Sequence, residues 1–171
     1  IVDCAPVGVG RRADILRAHT NVMLDSQTGL NLIYLALNNE RAPFQDARVR
    51  RALSRAIDRP SLVREVLGGH AEPAHTALPP TLFGHDTHAR ELVLDREAAR
   101  RLLAAARVPK GFLTTLTVSR APRPYLLDPL RVAARLRDDL AAVGLTVRLR
   151  EAATWTEHVD LTSRGDFDMA L

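Results

Sequence analysis

Residues 34–69 read YLALNNERAPFQDARVRRALSRAIDRPSLVREVLGG, and the spacing predicts a strand followed by two capped helices. The apolar run that leads into this stretch, residues 30–37, suits a strand buried on both faces, although a short buried helix has the same pattern. Pro43 stops the run. Asp46 can accept hydrogen bonds from the free N–H groups that open a helix, and Val49, Leu53, Ala56 and Ile57 then form one apolar stripe. Arg48, Arg50, Arg51 and Arg55 occupy the other faces. Asp58 caps a second helix with Pro60 in its first turn, where the missing N–H costs nothing, and Leu62, Val63, Val66 and Leu67 form its inward stripe. Gly68 and Gly69 end it. These helices are scaffold, built for packing rather than ligand chemistry.

A chain of 171 residues, 46% hydrophobic and 26% charged, can bury a core and suits one domain or a lobe of a larger protein. No uncharged apolar run is long enough to cross a bilayer, and the opening residues lack the order of a signal peptide, so the start reads as mid-protein sequence. Cys4 is the single cysteine and fits a small buried hydrophobe. All but Lys110 of the 24 basic residues are Arg, giving a net charge of +4 and a pI near 10.1. That balance is compatible with an Arg-rich nucleic-acid-binding domain. The arginines alternate with Asp and Glu along helix faces, however, and few aromatics are available to stack bases, so nucleic acid is not the expected partner.

Residues 70–94 hold three prolines, one glycine and four histidines with no sustained period, and read as a long connecting loop. Asp95 then caps a helix with Ala98, Leu102, Leu103 and Ala106 inward, and Pro109 to Gly111 breaks the chain before a strand over 112–118. A helix follows over 126–143 with Gly144 as its left-handed cap. Leu145, Val147 and Leu149 alternate inward against Thr146, Arg148 and Arg150, the mark of a half-exposed strand. Thr154 with Glu157 forms a capping box for a helix reaching about Thr162, and FDMAL, 167–171, is a closing strand. The chain stops inside that apolar strand, which implies that the polypeptide continues, and a lobe ending there exposes a sheet edge that a second copy could cover in a dimer. The expected fold is α/β, a mixed sheet flanked by helices.

Chemistry-bearing motifs are sparse. His85 and His88 form H-x-x-H with Asp86 nearby, the basis for a metal-binding alternative, but no cysteine pair or second motif accompanies them. Asp166 and Asp168 share one face if their segment is extended and read as a solvated edge or turn pair rather than an acid and base. No nucleophile elbow, P-loop or dinucleotide fingerprint occurs, so no enzyme is expected, and no cofactor. Trp155, at a helix start, covers the rim of the core more naturally than it stacks on a ligand.

The stretch 34–69, then AEPAHTALPP, LDREAARRLLAAARVPKGF, DDLAAVGLTVRLRE and WTEHVDLTSRGDFDMAL, resembles in order and spacing the C-terminal lobe of extracytoplasmic solute-binding proteins of the peptide/nickel class, family 5, which serve ABC importers. The likeness covers residues 30–171; residues 1–29 are similar, more loosely, to the end of the larger lobe before the crossover. Arg107 stands where the family often has a small residue, for which a local packing change is expected. The resemblance implies a periplasmic-binding-protein-like lobe of a two-lobed, class II receptor that captures a peptide or similar small solute. It implies a periplasmic or extracytoplasmic location, delivery to a membrane permease, and no chemical step. In that fold the strand at 34–39 runs between the lobes, so Tyr34, Asn38 and Asn39 are the expected ligand-binding residues.

Overall fold

A computed structural model describes residues 18, 29–80, 82–89 and 93–171. Cys4 and most of residues 1–29 lie outside the described residues. The elements are β1 (Ala36–Leu37), α1 (Ala47–Ala56), α2 (Arg59–Glu65), α3 (Arg96–Ala105), β2 (Phe112–Ser119), α4 (Pro129–Ala141), β3 (Leu145–Ala152), α5 (Trp155–Ser163) and β4 (Met169–Ala170).

The helix starts follow the capping chemistry. Asp46 accepts from the Arg48 N–H, Asp58 from Ser61, Asp95 from Ala98 and Thr154 from Glu157, each satisfying a donor that the first helical turn cannot. Asp128, with Pro129 beside it, caps α4 in the same way, so that helix begins three residues later than the apolar pattern predicts. Leu126 is buried from the preceding turn, not from the helix. Glu157 reaches back to the Ala153 N–H at 2.8 Å, one residue before the cap, a near relative of the predicted capping box. Gly68 (φ 62) and Gly144 (φ 99) take the left-handed conformation where α2 and α4 end. Arg107 does so too, at φ 59, so its consequence lies in the backbone: an L side chain occupies a conformation that glycine adopts freely.

The sheet order is β1-β4-β2-β3. β2 runs parallel to both β3 and β4, while β1 pairs antiparallel with β4, Ala36 opposite Ala170. The crossover from β2 to β3 goes one way and the crossover from β3 to β4 returns past β2, so right-handed connections place α4 and α5 on opposite faces. The strand predicted over 30–37 contracts to Ala36–Leu37, because β4 offers ladder partners only there. β3, at the edge, shows the predicted alternation, with Leu145 and Val147 buried and Thr146, Arg148 and Arg150 exposed.

Phe44, Val49, Leu53, Leu116, Val118, Val132, Leu140 and Met169 form the centre of one core between the sheet and the layer of α1, α3 and α4. Each such large side chain contributes about 1.5–3 kcal/mol by leaving water. α1 carries its predicted stripe there, Val49, Leu53 and Ala56, with Ala52 added. α2 is shallower than predicted: none of its residues is fully buried, and Leu62, Val66 and Leu67 pack against the core edge half-covered. α3 buries Ala99 and Leu103, with Leu102 and Ala106 at the margin.

Candidate functional site

Since β2, β3 and β4 are parallel, their carboxyl ends open on one side of the sheet, beside β2, where the direction of the crossovers reverses. In open α/β sheets this is where ligands bind. β1 runs the other way, so its leading residues Leu32, Ile33 and Tyr34 arrive at the same end and close one side of a cavity of about 380 Å³. The turn after β2 supplies Arg123, Tyr125 and Leu126, α5 supplies Trp155, His158, Val159 and Thr162, and Phe167, Ala170 and Leu171 form the floor. The walls are therefore mainly apolar and aromatic, with few polar groups, the usual make-up of a small-molecule site.

Among the described residues that line this groove, Arg123 is the charged side chain. It lies between Pro122 and Pro124, and the residue before a proline is driven to extended backbone. Its backbone exchanges two hydrogen bonds with Leu126, N–H to C=O at 2.9 Å and the reverse at 3.0 Å, and Leu126 is anchored in the core. The turn is further tied by Arg120 N–H to the Ala152 carbonyl at 2.9 Å and Ala121 N–H to Ser119 Oγ at 3.1 Å. From this base the guanidinium lies over the Trp155 ring, 3.9 Å from its centroid. A cation held on an aromatic face keeps its N–H groups free for an anion. The Arg123 side chain makes no hydrogen bond or ion pair among the described residues, and its Nε is buried without a partner.

Trp155 also stacks on His158, centroids 5.1 Å apart and planes 19° from parallel. His158 is buried, and its Nδ1 has no partner. Burial, and secondarily the charge of Arg123, lowers its pKa from the ordinary 6.5, so the ring is neutral at pH 7.

Tyr34 lines the groove and is exposed there. Asn38 sits at the other end of β1, buried, with its amide committed to backbone: Nδ2 donates to the Gly165 and Phe167 carbonyls, each at 3.0 Å, and Oδ1 accepts from the Glu40 N–H at 3.0 Å. Asn39 follows in the same turn, exposed. Asp166 and Asp168 lie beside it, bridged by Arg41 at 3.3 and 3.2 Å, and Arg150 holds Asp166 at 3.0 Å. They are a clamp on the far end of the sheet. His85 Nδ1 meets the Leu78 carbonyl at 2.7 Å, and among the described residues no three His, Cys, Asp or Glu side chains converge as a metal site requires.

Arg123 and His158 were not expected from sequence as site residues. Their signals were present: an arginine bracketed by prolines just after a strand, and a histidine three residues beyond a tryptophan on one helical face.

Bacterial extracellular solute-binding proteins, family 5 middle region, match residues 3–171. The heme-binding protein A of Haemophilus influenzae is 35% identical over 78% of this chain and 25% of its own length. The dipeptide-binding protein of Escherichia coli K12 is 29% identical over 99% of this chain and 32% of its own length. Among solved structures, the dipeptide-binding protein of Pseudoalteromonas sp. SM9913, in complex with Met-Leu, superposes with a TM-score of 0.85 at 28% identity, covering 98% of this chain and 32% of that one. The chain thus spans about a quarter to a third of the length of these relatives.

Proposed function

The chain belongs to the bacterial extracellular solute-binding proteins of family 5, and on that premise we propose that it forms the ligand-holding lobe of a receptor that captures a di- or tripeptide, or a similar small carboxylate, for an ABC importer. Residues 30–171 constitute that lobe, and residues 1–29 lead into it from the larger one. The carrying observation is Arg123, a fixed cation with unspent donors inside an aromatic groove at the carboxyl ends of the strands. It suits a ligand carboxylate, while Tyr34, Tyr125 and Val159 suit an apolar side chain next to it. Tyr34 contacts the ligand; Asn38 serves the site by pinning β1 to the segment entering β4, and Asn39 stands on the same turn.

We read the groove as a binding site: its Thr162 hydroxyl is committed to the His158 and Val159 carbonyls of its own helix, and the relatives are named as binding proteins. Binding and release are its whole task. Such a receptor works outside the cytoplasmic membrane and hands its ligand to a permease; no helix among the described residues is long and apolar enough to span a bilayer itself. The names of the relatives, dipeptide-binding and di/tripeptide-binding, support the peptide reading.

The test is calorimetric titration of the full-length protein with a panel of di- and tripeptides and their C-terminal amides. Free-acid peptides bind, amides bind at least about tenfold more weakly, and Arg123→Ala loses a similar factor, about 1.4 kcal/mol. Undiminished binding by Arg123→Ala, or equal binding of acids and amides, overturns the assignment of the anchor.

A further inference from the structure

We propose that His158 is a specificity-determining residue of this groove: it donates a ring N–H to a ligand oxygen beside the carboxylate held by Arg123, so that the site prefers a peptide over a bare organic acid. This rests on the peptide reading above.

The two side chains share one support. Arg123 lies over the Trp155 ring at 3.9 Å and His158 stacks on the same residue at 5.1 Å, so indole packing presents both to the groove. His158 is only 5% exposed, yet its ring makes no hydrogen bond among the described residues and Nδ1 is buried without a partner. Buried polar groups in native proteins are almost always satisfied, and one left open in a ligand groove marks a bond that the ligand completes. The neighbouring polar group is already spent: Thr162 Oγ1 donates within its own helix, to the His158 carbonyl at 2.9 Å or the Val159 carbonyl at 3.1 Å. No Asp or Glu is among the described residues lining the groove, so no acidic side chain there competes for the imidazole N–H.

A neutral imidazole has one N–H to give. A peptide offers it an oxygen next to the terminal carboxylate, the last amide carbonyl; a fatty or aromatic acid offers none. Sites built around such a bond discriminate strongly against analogues that cannot make it, because the buried donor is then left unpaired.

The experiment compares His158→Phe, which keeps an aromatic stack on Trp155 but has no N–H, with His158→Gln, which keeps a donor, in the full-length protein against the same peptide panel. His158→Phe weakens peptide binding by roughly tenfold or more, whereas His158→Gln retains affinity to within about threefold, the difference a lost hydrogen bond makes. The 15N resonances of the His158 ring also move when wild type is saturated with peptide. Wild-type affinity in His158→Phe, equal losses in both variants, or unmoved ring resonances overturn the role of His158 while leaving Arg123 and the peptide reading intact. If wild type binds no peptide, both readings fall together.

Discussion

Asp168 gathers four donors around one carboxylate: the Thr115 N–H at 2.9 Å and hydroxyl at 2.8 Å, the Thr114 hydroxyl at 3.3 Å, and Arg41 at 3.2 Å. It thereby joins the turn after β1, the body of β2 and the approach to β4. Burial is the largest single influence on its pKa and opposes ionisation, but the Thr115 hydroxyl and N–H, with Arg41 and Thr114, outweigh it and hold the group below its ordinary 3.8. A depressed carboxyl stabilises the fold above the ordinary value, and that contribution is lost as pH falls through the lower, folded-state value. Asp168→Asn keeps the shape, gives up the charge and turns one acceptor into a donor facing donors. It costs about 2–3 kcal/mol at neutral pH, and the gap to wild type narrows on acidification below 3.8, as urea unfolding at several pH values reads out. A gap that stays constant to low pH refutes the role of the charge.

Asp139 does comparable work between elements. Lying on α4 at 3% exposure, it accepts from the Asp58 N–H at the α1–α2 junction at 3.1 Å, from Arg96 at the start of α3 at 3.0 Å, and from Arg135 one turn back at 3.4 Å. Asp139→Ala leaves the Asp58 N–H without its acceptor and Arg96 without its carboxylate, while Arg135 keeps Glu65 at 2.6 Å, so it destabilises by about 2–3 kcal/mol in denaturant unfolding. A loss below about 1 kcal/mol, the scale of an exposed pair, means the network is solvated instead. Sequence hides Asp139 because it falls on the inward stripe between Leu136 and Leu140, where an apolar residue is expected and an acid reads as surface charge. The caps at Asp46, Asp58, Asp95 and Thr154 were legible, since capping is a local contract between a side chain and the next turn. β3 was legible for the same reason, through its alternation. The extent of β1, by contrast, depends on a partner more than a hundred residues away, and no local pattern reports it. The groove falls between these cases: Tyr34, named through the family resemblance, lines it, whereas Arg123 and His158 become neighbours only when the turn after β2 and the start of α5 meet across Trp155.

Across the described residues the topology separates a packed helical layer from the candidate groove. α1 and α3 pack on one another and on α4, tied by the Asp95 N–H to the Arg55 carbonyl at 2.9 Å and by Arg48 to the Ala105 carbonyl at 2.8 Å, and neither helix contributes a residue to the groove. The groove is made by the opposite partition: the entry to β1, the turn after β2, α5, and the floor from β4. A ligand seated there adds contacts to the second set alone, and amide protection rises where binding removes local opening. Hydrogen exchange with a saturating free-acid dipeptide therefore slows exchange over residues 32–37, 119–126, 155–162 and 169–171, and leaves 47–56 and 96–105 near their ligand-free rates. At a ligand concentration a hundredfold above Kd, binding also stabilises the folded protein globally by about 2.7 kcal/mol, but that gain shows first in segments that open locally and last in those that open only on global unfolding. Protection concentrated in the α1 and α3 layer would place the ligand on the other side of the sheet and remove the groove from consideration. Protection confined to the predicted segments and absent in Arg123→Ala fixes both the location of the site and the residue that anchors its ligand.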